Sequence, residues 1–152
     1  MNYQEILEKL KNKINIIEAK EDLGILNATI DKKSIRDAVI YLKNELNFDH
    51  LNFLTAIDWI ANSQIEVIYR FYSYQTKDKV VLRVKLERTK PEIETISDLF
   101  KTANWHEREV YEMFGVKFLN HPDLRKLLLP DGIEMPLRKD FTCEDFEKKP
   151  EF

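Results

Sequence analysis

The sequence predicts an α+β fold: a single domain with a mostly antiparallel or mixed sheet of about four to five strands covered by helices, then an extended C-terminal tail. Two stretches alternate with a period of two: Ile65, Val67, Tyr69 and Phe71, then Val80, Leu82, Val84 and Leu86. Two others place apolar residues at helical spacing: Tyr3, Ile6, Leu7 and Leu10, then Ile35, Ala38, Val39 and Leu42. After Gly115 periodicity is lost, and Pro122, Pro130, Gly132, Pro136 and Pro150 punctuate a segment unsuited to long regular elements.

In chain order, residues 3–11 form an amphipathic N-terminal helix expected to cap one edge or face of the sheet. Ile14 to Ala19 and Ile25 to Ile30 are β-rich and flank Asp22-Leu23-Gly24, a hairpin turn in which glycine supplies positive φ. Ser34 is the expected N-cap of a helix running to about Leu46. Leu51 to Trp59 is apolar enough in parts to predict a central strand with both faces covered, and Asp58 at its end is expected to close a turn through backbone hydrogen bonds. Gln75 to Asp78 joins the two alternating stretches into an antiparallel hairpin. Pro91 is expected to end the sheet, Ile96 to Phe100 to form a short helical stretch, and Asn104 to cap a helix over residues 104–114. The boundaries that follow are a domain over residues 1–118 and an arm over residues 119–152.

Composition limits the chemistry. The chain of 152 residues carries a net charge of -3, so no overall basic field exists to hold nucleic acid or anionic lipid. No apolar run approaches the roughly 20 residues that span a bilayer, and the first residues lack a signal peptide's pattern, which gives the expectation of a cytoplasmic protein. The single cysteine, Cys143, excludes an intrachain disulfide and cannot by itself ligate an iron–sulfur cluster. None of the three glycines lies in a phosphate-cradling turn, and His50, His106 and His121 lack metal-ligand spacing. No catalytic, cofactor-binding or metal-binding residue is therefore expected. An aromatic hairpin, Tyr69, Phe71, Tyr72 and Tyr74, raises the alternative of a sheet face stacking single-stranded RNA bases, against which stand the negative charge and the missing RNA-recognition pattern.

The densest stretch is residues 105–128. Advancing about 100° per residue, Val110, Tyr111, Met113 and Phe114 share one arc, while Trp105, Arg108, Glu109 and Glu112 fall opposite, with Arg108 and Glu112 spaced for a weak local pair. His106 and Glu107 land inside the apolar arc. Neighbours on a helix point apart, so they do not form an acid/base pair. A carboxylate on a buried face predicts a specific partner for Glu107: backbone N–H groups or an arginine, with Arg70, Arg83, Arg125 and Arg138 as candidates. In the tail, Leu127-Leu128-Leu129 and Phe141 have little reason to be exposed in isolation, which predicts an arm lying along another subunit.

The run Glu107-Arg108-Glu109, then Glu112-Met113-Phe114-Gly115, then His121-Pro122-Asp123-Leu124-Arg125-Lys126-Leu127-Leu128, closely resembles the signature of the thirty-kilodalton subunit family of respiratory complex I, the C-type component of NADH:quinone oxidoreductase. Pro136-Leu137-Arg138-Lys139-Asp140-Phe141 resembles the basic segment that follows this signature, and Leu54-Thr55-Ala56-Ile57-Asp58 is similar to a strand motif of the family. Asn120 stands where many members have glycine. The resemblance implies a cofactor-free accessory subunit of the peripheral arm, peripheral to the cytoplasmic face of the membrane through its complex. It would be packed against the quinone-site subunit (the forty-nine-kilodalton, D-type component) and neighbouring iron–sulfur subunits. FMN and the iron–sulfur clusters are expected in those partners. It further implies an assembly role for Glu107, Arg108, Glu109, Glu112, Phe114, Gly115, His121, Pro122, Arg125, Pro136, Arg138, Lys139 and Asp140. A related reading is the equivalent subunit of a membrane-bound nickel–iron hydrogenase or of a complex using another electron donor.

Overall fold

A computed structural model describes residues 3–143. The elements are α1 (Tyr3–Lys11), β1 (Ile16–Asp22), β2 (Ile25–Ile30), α2 (Ile35–Asn44), β3 (His50–Trp59), β4 (Gln64–Tyr72), β5 (Lys79–Glu87), β6 (Glu92–Glu94), α3 (Ala103–Phe114) and β7 (Lys117–Leu119). Strands β1 to β5 form one mixed sheet in the order β1-β2-β5-β4-β3. The three hairpin pairings are antiparallel, and β2 runs parallel to β5 with Leu26 opposite Val80. The α+β class and the strand number expected from periodicity are therefore what the molecule has.

Alternation sorts the side chains. Leu26, Ala28 and Ile30 of β2, Val80, Leu82, Val84 and Leu86 of β5, and Ile65, Val67, Tyr69 and Phe71 of β4 join the stripes of α1 (Ile6, Leu10) and α2 (Ile35, Ala38, Val39, Leu42) in one core. Each large side chain so buried contributes about 1.5–3 kcal/mol. The opposite row, including Asn27, Glu66, Arg83 and Lys85, lines a broad open polar hollow beside Trp59. Tyr69 and Phe71 are fully buried, which removes two of the four rings of the supposed RNA-stacking face.

Several local expectations change. Strand β3 lies at a sheet edge instead of the centre; the strand buried on both faces is β4, whose Glu66 is covered by Arg83 and Trp59. A single 3-10 turn over Lys32–Ser34 precedes α2, and Asp31 caps it by accepting from the Lys33 N–H (2.8 Å), so Ser34 makes no side-chain cap. Pro91 does not end the sheet structure, because β6 follows at once and pairs parallel with β7 in a second, two-stranded sheet. Residues 96–100 form turns, and α3 begins at Ala103 after Thr102, one residue before the expected cap.

The end of α3 is set by Gly115. Its φ of +76° is left-handed, and its N–H donates to the Tyr111 carbonyl (2.8 Å), the usual way a glycine closes a helix. A Cβ there would lie 2.5 Å from Met135 Sδ and 3.1 Å from Arg138 Nη2. Gly115→Ala is therefore expected to cost about 2 kcal/mol, from left-handed strain and displacement of Met135, read as a lowered midpoint in urea. An unchanged midpoint would show that the tail does not press on this glycine.

Candidate assembly site at the joint of α3 and the tail

The signature residues converge where α3 meets the chain that follows it. Residues 119–143 do not project away from the domain but return along α3: Met135 N–H donates to the Glu112 carbonyl (3.1 Å) and Leu137 N–H to the Met113 carbonyl (3.2 Å). The helical projection placed Arg108 and Glu112 on an outer face, yet both are buried, because the tail covers that face. They do not pair with each other. Arg108 donates from Nε to the Arg125 carbonyl (3.1 Å) and from Nη2 to the Lys126 carbonyl (2.9 Å). Glu112 accepts the backbone N–H groups of Leu127 (2.8 Å), Leu128 (2.9 Å) and Leu129 (3.1 Å). A guanidinium and a carboxylate one helical turn apart thus satisfy adjacent carbonyls and amides of a tail that has no ladder of its own.

Burial pushes the Glu112 carboxyl up, but the N–H groups of Leu127, Leu129 and Leu128 outweigh it and hold it below the usual carboxylate value of 4.5. The stability it adds is present above that value and is lost as pH falls through its lowered folded value. Glu112→Gln keeps the shape and removes the charge, and should cost about 2 kcal/mol while making the tail cleavable by trypsin at Arg125 and Lys126. Wild-type resistance to cleavage in that variant would refute the clasp.

A second clasp fixes the tail further on. Asp58, at the end of β3, has no exposed side-chain surface. It accepts from Arg88 Nε (2.7 Å) and Nη2 (3.0 Å) and from the Lys139 backbone N–H (2.8 Å). Arg88 also donates to Asp140 (2.6 Å), and Arg138 donates from Nε to the Phe114 carbonyl (2.7 Å). Asp58 was expected to close a local turn; it binds a guanidinium thirty residues on, which alternation around Asp58 does not reveal. The Arg88 hydrogen bonds hold the Asp58 carboxyl below its usual value, with burial opposing.

Glu107 is fully buried, as its place on the apolar arc required. Its partners are the Thr95 hydroxyl, which donates to Oε2, and the Ile96 N–H (2.8 Å to Oε1). The backbone half of the expectation holds; none of the four candidate arginines reaches it, and the nearest cationic-capable group is the buried His121 Nε2 at 3.7 Å. His121 Nδ1 accepts from the Asp123 N–H (3.0 Å) and Nε2 lies 3.1 Å from the Asn104 carbonyl, which assigns the ring proton to Nε2. Burial pushes the Glu107 carboxyl up to about 7, against the opposing effect of Thr95 and Ile96.

Of the remaining signature residues, Phe114 is buried, Pro136 half-buried, and Glu109, Pro122, Arg125, Lys139 and Asp140 exposed. Asn120, where glycine is common in the resembled family, has φ +64°, a conformation asparagine tolerates better than most residues, and donates to Glu94 (2.9 Å). Beside this network Trp105 and Leu128 are each 67% exposed. Among the described residues no group of three or more His, Cys, Asp or Glu side chains is placed to hold a metal ion, and no helix is long and apolar enough to cross a membrane.

Known proteins resemble this chain in sequence and in fold. Residues 28–147 match the family described as the respiratory-chain NADH dehydrogenase 30 Kd subunit. The chain is 38% identical over 148 residues to the C subunit of F(420)H(2) dehydrogenase from Methanosarcina mazei, covering 93% of this chain and 92% of that protein. It is 34% identical over 147 residues to the C subunit of NADH-quinone oxidoreductase from Geobacter sulfurreducens, covering 93% and 91%. Among solved structures it superposes on a trypsin-resistant fragment of Nqo5 with TM-score 0.71 and 25% identity, covering 82% of this chain and all of that one. A chain of the membrane-bound sulfane sulfur reductase, an archaeal respiratory membrane complex, superposes with TM-score 0.80 and 26% identity over 91% of this chain and 85% of that one.

Proposed function

This chain belongs to the 30 Kd subunit family of respiratory-chain NADH dehydrogenase, and from that membership we propose that it is a cofactor-free accessory subunit in the peripheral arm of a complex I-type oxidoreductase. Its work is assembly. It packs against the quinone-site subunit and neighbouring iron–sulfur subunits, while FMN, clusters and quinone are handled by those partners, at the cytoplasmic face of the membrane. The observation that carries this reading is how the signature spends its charges: Arg108 and Glu112 both bind backbone of the chain's own tail. Groups so used shape a surface and are not free to act on a substrate. Residues 1–118 then serve as the scaffold and residues 119–152 as the arm that presents itself to a partner; residues 144–152 lie outside the described residues.

The electron donor has two readings. NADH follows from the relatives named as components of NADH-quinone oxidoreductase. A donor other than NADH is favoured by the relative named for F(420)H(2) dehydrogenase. Affinity capture of the tagged chain from detergent-solubilised membranes separates them. A large quinone-site-like subunit and a cluster protein should be recovered. Flavin- and NADH-binding subunits beside them indicate NADH, an F(420)H(2)-oxidising subunit indicates the other donor, and a nickel-containing large subunit indicates a hydrogenase. Recovery of the chain alone would overturn the assembly reading.

A further inference from the structure

Glu107 is buried but not isolated from water. Its Oε2 accepts from the Thr95 hydroxyl, and Thr95 Oγ1 lies 2.8 Å from Ser97 Oγ, with either oxygen able to donate. Ser97 in turn lines an open hollow of about 490 Å³ together with Thr95, Arg36, Asp98, Pro122, Asn120 and Glu94, whose carboxylate accepts from Asn120. A file of two hydroxyls therefore runs from solvent to a carboxylate with no exposed surface of its own.

The surroundings hold that file in place. Arg36 of α2 donates from Nη1 to the Thr95 carbonyl (2.6 Å) and makes a two-pronged pair with Asp98 (2.8 and 2.7 Å). The Ser97 N–H donates to Thr95 Oγ1 (3.1 Å). On the inner side Glu107 faces Tyr69 of β4, whose buried hydroxyl has no hydrogen-bond partner among the described residues, and His121, whose ring nitrogens are already committed to Asn104 and Asp123. The Nδ1 lone pair of His121 is taken by the Asp123 N–H, whereas Glu107 Oε2 faces the Thr95 hydroxyl.

We propose that Glu107 is a proton-binding site of this subunit, exchanging its proton with solvent through the hydroxyls of Thr95 and Ser97. In uptake, a hydronium in the hollow delivers a proton to Ser97 Oγ; Ser97 passes its own hydroxyl hydrogen to Thr95 Oγ1, and Thr95 passes its own to Glu107 Oε2. One O–H bond forms at the carboxylate, one breaks in the hydronium, and both hydroxyls are restored with their direction reversed. Release runs backwards. The charge at the contact between α3, the turn after β6 and the start of the tail thereby changes by one unit. Two further facts fit the site: burial raises the affinity of Glu107 for a proton into the neutral range, and the Arg36–Asp98 pair at the mouth compensates its own charge.

Infrared spectroscopy on the full chain tests this. A protonated-carboxyl C=O band should disappear with a midpoint near neutrality and be missing in Glu107→Gln. After a pH jump the band should relax severalfold more slowly in Ser97→Ala, with its midpoint unmoved, and Ser97→Thr should restore the rate. If Glu107→Gln fails to fold, isotopically labelled glutamate assigns the wild-type band, since it moves a Glu band and leaves an Asp band in place. No titrating glutamate band near neutrality would overturn the site, and a wild-type rate in Ser97→Ala would overturn the route. Neither result depends on which complex the chain joins.

Discussion

Arg88→Met should lower the unfolding free energy by about 3–5 kcal/mol, the cost of leaving a buried carboxylate without its cation. Arg88 gives Asp58 two hydrogen bonds of 2.7 and 3.0 Å, and without them Asp58 keeps only the Lys139 N–H at 2.8 Å in a site with no exposed side-chain surface. The same change frees Asp140 and so loosens the tail from the end of β5. The loss should be partly undone by Asp58→Asn in the same chain, because a neutral amide needs no cation. Urea unfolding of the two variants decides the point: a double variant no more stable than the single one would mean that packing of the arginine stem, and not the charge, sets the cost. In the wild type this contribution is present above the ordinary aspartate value of 3.8 and fades as pH falls through the lowered value of the folded chain.

Glu107→Gln should act in the opposite direction. The folded Glu107 carboxyl titrates at about 7 against an ordinary 4.5. A raised folded value means that the stability linked to this group is fully present below 4.5 and is lost as pH rises through about 7. The loss amounts to about 3 kcal/mol at most, at 1.36 kcal/mol per pH unit. Glutamine keeps one acceptor oxygen for the Ile96 N–H, sets its NH2 where Thr95 Oγ1 can accept from it once that hydroxyl turns to Ser97, and carries no charge to desolvate. The variant should therefore match the wild type near pH 5 and exceed it near pH 8. Urea midpoints at the two pH values check this; a variant whose stability falls as steeply as the wild type's would sink it. The sequence alone suggested that removing the Glu107 charge would weaken the fold, on the assumption of an arginine partner. With hydroxyl and amide donors instead, the sign reverses above neutrality.

What the sequence showed and what it hid divide along physical lines. The β1–β2 hairpin was legible because Gly24 suits a positive φ and β-rich residues flank it, whereas the positive φ of Leu23 at the same turn has no signal in the sequence. The misplaced carboxylate at Glu107 was legible because helical periodicity is a local property. The exposure of Arg108 and Glu112 was misjudged because the projection describes one helix alone, and what buries them arrives from residues 125–129. β3 read as central because an apolar run does not distinguish a strand between two neighbours from an edge strand, and β3 is an edge strand packed against α3. β6 and β7, three residues each, are too short for any period to register. The Asp58–Arg88 pair joins strands through a partner that charge alone cannot single out.

The sheet order also separates local strand pairings from distant ones. β3, β4 and β5 are joined by hairpins and pair with chain neighbours, whereas β2 reaches β5 only by closing the loop that holds α2, β3 and β4, with Leu26 set against Val80. Loop-closure entropy places the local meander early and the parallel seam late. The tail depends on all that precedes it: Asp58 and Arg88 must already stand at the ends of β3 and β5, and α3 must be wound through Gly115, before Leu127, Lys139 and Asp140 find their partners. The face built by α3 and the tail is thus the last to exist. A chain caught partway through folding lacks that face.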